Sequence, residues 1–406
     1  MNELRRVISL PLITFYGIGS ILGAGIYVLI SKIAGISGMY MPVSFIIAGI
    51  VAGFSAFSYA ELSSRYPKSA GEAVYLYEAF SLKSLSSLLG WAIVLVGIVS
   101  VATLANGIVG YVELFFELSG WIIKLSIISL LFMVAIWGVA ESLIVTAVIT
   151  VLELFGVFLV IYFGFESLMT IGDRWNELIP PLSSNYIFPL IFGAFLSFYA
   201  YIGFEDMVNM AEEVKDPKRN MPLSIVLVLF ITTFLYVLVS LVAVLSLPLE
   251  YLSKSTAPFT DIIKNSSNFP VWIMGIISVV AVLNGMLIQI IMGSRVLYGM
   301  SKSGMAPAFF SYIYSVTRTP VTATAFVFMV ILAFALLLPL VSLAKITSTI
   351  ILVVFSCVNL SLVAIKLRER KGLNSESDHY NVPIAIPFTG FVLCICFLVL
   401  QLKEFF

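Results

Sequence analysis

Long apolar runs recur from one end of this chain to the other, each near the ~20 residues that a helix needs to cross a bilayer. Eleven stand out, over residues 9–33, 40–62, 84–117, 121–139, 142–169, 187–211, 222–247, 270–300, 321–341, 343–365 and 383–403. Runs of this length satisfy their backbone groups in lipid as helices. Apolar residues fill 61% of the 406 positions and charged residues 11%, against about 25% charged in soluble domains. The chain is expected to be an all-α polytopic membrane protein. The first run is too long for a cleaved signal sequence, and ten similar ones follow it.

Lysine and arginine placement sets the expected orientation. With the N-terminus in the cytoplasm, the inner loops and helix ends collect fifteen of the 22 Lys and Arg residues, among them Arg5, Arg6, Arg65, Lys68, Arg295, Lys302, Arg318 and the cluster Lys366 to Lys371. An odd number of segments puts the C-terminus outside. The net charge of zero gives no reason to expect nucleic acid. Cys357, Cys394 and Cys396 lie in late apolar runs and form no loop framework for disulfides.

Two segments carry an interruption. In the first, Gly17, Gly19, Gly23 and Gly25 crowd into nine positions together with Ser20, although glycine weakens a helix interior by roughly 0.5–1 kcal/mol relative to alanine. Gly19 and Gly23 form a G-x-x-x-G pair that lets helices approach closely. The sixth segment carries Ser197-Phe198-Tyr199-Ala200-Tyr201-Ile202-Gly203-Phe204-Glu205, which is not a small-residue packing face. Five segments separate the two, an odd offset that inverts their orientation. Breaks in corresponding positions of two inverted halves point to a binding site at the midplane. There, freed N–H groups can receive an anion and freed carbonyls a cation, and a zwitterion carries both charges on one carbon.

These residues resemble the amino acid–polyamine–organocation superfamily, near its cationic-amino-acid and archaeal amino acid permease branches. The resemblance rests on Gly19-Ser20-x-x-Gly23-Ala24-Gly25-Ile26, Tyr59-Ala60-Glu61-Leu62 with Tyr66-Pro67-x-x-Ala70-Gly71, Tyr201 to Glu205 running into Ala211 to Pro222, and Gly293-Ser294-Arg295-x-Leu297-Tyr298-Gly299-Met300. It implies a LeuT-like fold of five plus five helices, with one repeat in residues 1–171, its inverted copy in 186–367 and an additional helix, 383–403, outside that core. It also implies that a substrate carboxylate sits on the amides around Gly23, Ala24 and Gly25, beside Ser20. The α-amino group would meet carbonyls of Ile21, Tyr199 and Ile202 around Ala200, with the Tyr199 ring as a gate.

Ionisable side chains at membrane depth suggest function. Glu153 lies near the centre of the fifth segment with no charge nearby in sequence. Several relatives carry a lysine at the matching position, so that residue's role does not transfer. A desolvated carboxylate there can exchange a proton with a cavity, hold Na⁺ or K⁺, or pair with a cation; proton coupling is the expectation adopted. Glu205 and Asp206 follow the second break and either line the cavity or face water. Glu61 is expected to form a structural or gating ion pair with Arg65, and Glu113 and Glu117 to be solvated. Thr103, Asn106, Ser278, Asn284 and Gln289 are the polar residues expected near a substrate side chain, which favours neutral or broad-range amino acids.

Enzyme chemistry lacks its groups: there is no H-E-x-x-H, and the only histidine is His379 in a loop. No cofactor or metal is expected. The reading is a secondary active transporter of the cytoplasmic membrane that moves amino acids by alternating access, as a proton-coupled symporter. An amino acid or polyamine exchanger is the alternative, ahead of a channel or a non-transporting membrane subunit. Oligomeric state is left open.

Overall fold

A computed structural model of the chain describes residues 6–23, 25–68, 71–137, 143–181, 183–317, 319–370 and 379–405. Arg5, Ala24, Ala70, Arg318 and Lys371, which enter the expectations above, lie outside the described residues.

Each of the eleven expected segments contains helix. The first is α1 (Leu10–Leu22) and α2 (Ile26–Ser37), with the expected interruption between them. The second is α3 (Met41–Arg65), followed by the short α4 (Gly71–Phe80). The third is α5 (Lys83–Gly107) with the one-turn α6 (Val109–Val112), the fourth α7 (Gly120–Trp137) and the fifth α8 (Leu143–Phe163). Two short helices, α9 (Phe165–Met169) and α10 (Ile171–Leu178), lead to α11 (Ser184–Phe198). The rest of the sixth segment is not α-helical. It holds two 3₁₀ stretches, Tyr199–Tyr201 and Glu205–Met210. After α12 (Pro217–Ser246), the short α13 (Leu249–Lys254) and α14 (Pro258–Ser266) precede α15 (Val271–Lys302), α16 (Val321–Leu337), α17 (Leu340–Glu369) and α18 (Ala385–Phe405).

Sequence explains several helix starts. Pro11, Pro42, Pro217 and Pro258 occupy the first turns of α1, α3, α12 and α14, where proline's missing N–H costs no intrahelical bond. Among the described residues, eight helical stretches are at least 18 residues long and apolar enough to cross a membrane, counting Ile26–Arg65 as one; Leu10–Leu22, Val321–Leu337 and Ala385–Gln401 are apolar but shorter. The chain is a multi-pass helical membrane protein.

The interrupted helices sit at the centre. α1 packs against α8, α12 and α15, while α11 lies against α2 and α3. Tyr16 to Leu22 and Phe198 to Phe204 are buried throughout. The last helix is fastened to this bundle rather than loosely apposed. α18 lies on α3 and α17, where the Asn359 amide donates to Ser55 (2.9 Å) and accepts from Ser58 (2.6 Å). Gly390 of α18 packs so closely on that amide that a Cβ there would stand 2.8 Å from Asn359 Oδ1. The three cysteines are unpaired, and Glu113 and Glu117 are exposed, both as expected.

Candidate functional site

The first break is short. Gly23 keeps helical angles (φ −63°, ψ −25°) and its N–H still reaches the Gly19 carbonyl (3.1 Å), whereas Gly25 leaves the helical region (φ −121°, ψ −52°). Ala24, expected to lend an amide to an anion, lies outside the described residues. In the second break, Ile202 is extended (φ −65°, ψ 133°) and Gly203 has φ +131°, a region open to glycine and strained for other residues.

The two breaks meet backbone to backbone. A Cβ on Gly25 would stand 2.2 Å from the Ala200 Cα, and one on Gly203 2.8 Å from the Ser20 carbonyl carbon. The other glycines of the first segment are packed as tightly: a Cβ would lie 2.4 Å from Met207 Sδ at Gly17, 2.1 Å from Thr150 Oγ1 at Gly19 and 2.8 Å from the Ala281 carbonyl oxygen at Gly23. Close approach and broken helix are thus served by the same residues. Ser20, Ile21, Gly23, Gly25, Tyr199, Ala200 and Ile202 are all buried at this junction.

Tyr236 of α12 was not singled out in the sequence, yet it spans both breaks. Its hydroxyl contacts the Ile21 carbonyl oxygen (3.0 Å) and the Ala200 carbonyl oxygen (2.8 Å), sharing one hydrogen between them. Its ring is held by Phe45 and Tyr201 at centroid distances of 5.5 and 5.3 Å. The signal was a phenol at mid-helix depth, because a buried hydroxyl seeks a polar partner. Tyr199 is buried too, with its hydroxyl 2.9 Å from Ser100 Oγ on α5; its carbonyl accepts the Ile202 N–H (3.1 Å).

Glu153 stands behind the first break. One carboxylate oxygen accepts from the Asn284 amide of α15 (3.1 Å). The other, Oε2, is buried with no hydrogen-bond partner among the described residues, and it would lie 3.5 Å from a Cβ on Gly19. The Glu153 carbonyl accepts from Tyr27 (2.7 Å), whose own carbonyl accepts from Tyr111 (2.8 Å). These bonds join α8, α2 and α6.

The sequence has matches among known proteins. Residues 8–403 match the family described as amino acid permease. The chain belongs to that family. The permease is 31% identical to the mitochondrial cationic amino acid transporter 3 of Arabidopsis thaliana, over 90% of this chain and 63% of that protein. It is 26% identical to the branched-chain amino acid permease BcaP of Bacillus subtilis, over 99% of this chain and 89% of that protein. To the methylthioribose transporter of Bacillus subtilis it is 28% identical, over 98% and 88%. The permease spans about three-fifths of the plant transporters it matches (63% and 60%).

Of the remaining expected residues, Glu205 and Asp206 turn inward. Glu205 accepts the Gly203 N–H of its own break (2.8 Å). Asp206 accepts from Ser20 (3.2 Å) and from the Gln289 amide (2.8 Å). With Asn209 and Gln289 they line a cavity of about 20 Å³, room for roughly one water molecule. It shares Ile93, Asn209, Met292 and Val296 with a larger cavity of about 340 Å³ that reaches Glu72, Glu213 and Arg295. Thr103 and Ser278 are turned back onto carbonyls of their own helices, and Asn106 is engaged by Ala102, Ala335 and Lys124. Among the five polar residues expected near a substrate side chain, Gln289 lines this cavity.

Glu61 forms the expected pair with Arg65 and more. It also accepts from Lys366 (2.7 Å) and from the Val382 N–H (2.8 Å), while Arg65 also pairs with Glu369. Two carboxylates and two cations thus close a neutral network between α3, α17 and the segment leading into α18.

Proposed function

We propose that the permease moves amino acids across the cytoplasmic membrane as a secondary active transporter, by alternating access between two inverted five-helix repeats. The observation that carries this reading is the meeting of the two breaks, Gly25 on Ala200 and Ser20 on Gly203. It brings the backbone N–H groups and carbonyls of two helix ends to one buried point, the chemistry a carboxylate and an ammonium on one carbon require. The names of the Arabidopsis and BcaP relatives support the substrate class. The carboxylate is assigned to the amides of Gly23, Ala24 and Gly25, and the ammonium to carbonyls of Ile21, Tyr199 and Ile202. Since the Ile21 carbonyl already accepts from the Tyr236 phenol and the Gly23 N–H, and the Tyr199 carbonyl from the Ile202 N–H, the ammonium displaces one of these donors. Tyr199 is assigned as the gate, and the end bearing Arg65 and Arg295 as cytoplasmic.

Coupling to protons rather than Na⁺ is assigned to Glu153, whose free Oε2 can take a proton without breaking an existing bond. Glu205, committed to its own backbone turn, is the weaker candidate. The test is purified protein in liposomes, offered a panel of radiolabelled amino acids under imposed H⁺ or Na⁺ gradients. Saturable uptake that an inward H⁺ gradient concentrates supports the assignment. Obligatory exchange without net accumulation identifies an antiporter, and no movement of any amino acid overturns the reading.

A further inference from the structure

The larger of the two cavities beyond Asp206 has a lining that the breaks do not use. It measures about 340 Å³, within the size range of small-molecule sites. Among the described residues, none of α1 or α2 lines it. Its walls come from α4, α5, the stretch that follows the second break and α15. The turn after α15 closes one side: Gly304 reverses the chain with φ +70°. There the Met305 N–H donates to the Met300 carbonyl (2.8 Å), and Ser87 of α5 donates to the Met305 carbonyl (3.1 Å). The cavity is therefore held by backbone bonds between elements.

Two kinds of chemistry meet in its lining. Met210, Met292, Met300 and Met305 supply apolar surface, and their unbranched thioether chains adapt to apolar groups of varied shape. Glu72, Glu213 and Arg295 supply charge of both signs, and none of the three forms an ion pair among the described residues. Glu72 is 2% exposed and accepts a long bond from the Tyr59 hydroxyl (3.4 Å). A carboxylate buried without a cation is costly, so an ammonium entering the cavity supplies what Glu72 lacks. An entering carboxylate meets the Arg295 guanidinium, which suits it in charge and shape.

A molecule that answers all of this carries an ammonium, a carboxylate and a compact apolar group. We propose that the cavity is a second amino acid site, apart from the junction of the breaks, for an amino acid with an aliphatic side chain. Its carboxylate lies on Arg295, its ammonium between Glu72 and Glu213, and its side chain among the methionines. The placement of this site at the cytoplasmic end rests on the transport reading above; the binding itself does not.

The experiment follows the methyl signals of isotope-labelled methionines by NMR, on the full chain in detergent, as leucine is added. Met300→Leu, Met305→Leu and Met207→Leu assign the signals. Met300 and Met305 report the cavity, while Met207, packed on Gly17, reports the junction. Leucine is expected to shift Met300 and Met305. Isoamylamine, which lacks the carboxylate, and isocaproate, which lacks the ammonium, should leave them unmoved at the same concentrations. Arg295→Gln, at an exposed position, should weaken the response of Met300 and Met305 to leucine at least about tenfold, the loss of one charge-assisted hydrogen bond. Glu213→Gln should weaken it as well. A leucine response that survives both substitutions unchanged overturns the proposal, as does an equal response to the amine or the acid alone. A response to phosphatidylethanolamine in place of leucine would give the cavity to a lipid, with the same consequence. Should Met207 alone respond, the second site falls and the transport reading stands. Should Met300 and Met305 respond while Met207 does not, the second site stands and the result counts separately against a substrate at the breaks.

Discussion

Gly25 and Ala200 touch through their backbones, with room for no further atom: a Cβ on Gly25 would stand 2.2 Å from the Ala200 Cα. Neither partner can retreat without dragging a half-helix, since both lie at the junction of the breaks. Gly25→Ala should therefore lower stability by about 1–3 kcal/mol, the range for overpacking, and read out as a fall in Tm of the purified protein with loss of uptake. Gly53→Ala is the control, because a Cβ there would meet only Leu229 Cδ2 at 3.5 Å; it should leave both unchanged.

Tyr236→Phe keeps the ring against Phe45 and Tyr201 and removes the one hydrogen shared by the Ile21 and Ala200 carbonyls. A buried polar group left unpaired costs about 1–3 kcal/mol. Expressed in uptake efficiency, that is roughly a five- to 150-fold fall. Initial-rate measurements across substrate concentration would separate a loss of positioning from a loss of folded protein, and unchanged kinetics would assign the hydroxyl no part in holding the breaks.

The network at Glu61 makes a prediction of opposite sign for one and two substitutions. Glu61→Gln leaves Lys366 and Arg65 facing Glu369 alone in a largely buried setting. Removing one partner of a buried ion pair costs about 3–5 kcal/mol. Adding Lys366→Met restores charge balance, with Arg65 and Glu369 still paired, so the double variant should melt at a higher temperature than Glu61→Gln alone. Additive losses would mean that the two charges do not share one network.

The architecture was legible in the sequence for a physical reason: lipid forces every spanning segment to declare itself by length and apolarity, and each of the eleven expected segments holds helix. The breaks were legible as well, because glycines cost helix stability and their clustering needs a cause. What sequence left open was who meets whom. Nothing local to Ile8 and Val214 announces a bridge, and Asn359 reads as an isolated amide until α18 brings Gly390 against it. The sixth segment is interrupted over Ser197 to Glu205 as expected, and the departure from α-helix runs further, since Glu205–Met210 is a 3₁₀ stretch beside the left-handed turn at Gly203, whose N–H the Glu205 carboxylate accepts.

His379, the only histidine, sits in the segment before α18. Burial and the nearby Arg65 guanidinium hold its imidazole below the ordinary value of 6.5. The unfolded chain therefore binds the proton more readily, so the stabilising effect is fully present above pH ~6.5 and is lost as pH falls below it. Tm measured from pH 8 to 5 should decline at the acid end, and His379→Gln should flatten the part of that decline that belongs to the imidazole. A decline of the same size in the variant would place its origin elsewhere.

Glu153→Gln separates coupling from architecture. The glutamine carbonyl can still accept from Asn284, as Glu153 Oε1 does at 3.1 Å, and the backbone carbonyl that accepts from Tyr27 is untouched. The substitution changes the unpartnered Oε2 into an amide nitrogen that can carry no exchangeable charge. Tm should move little. Exchange of labelled for unlabelled amino acid across the liposome, which needs no net driving ion, should persist. Accumulation driven by an imposed H⁺ gradient should disappear, since the group proposed to load and release the proton is gone. Full gradient-driven accumulation in the variant would remove Glu153 from the coupling pathway, whereas loss of exchange together with accumulation would assign it to holding α1, α8 and α15 together.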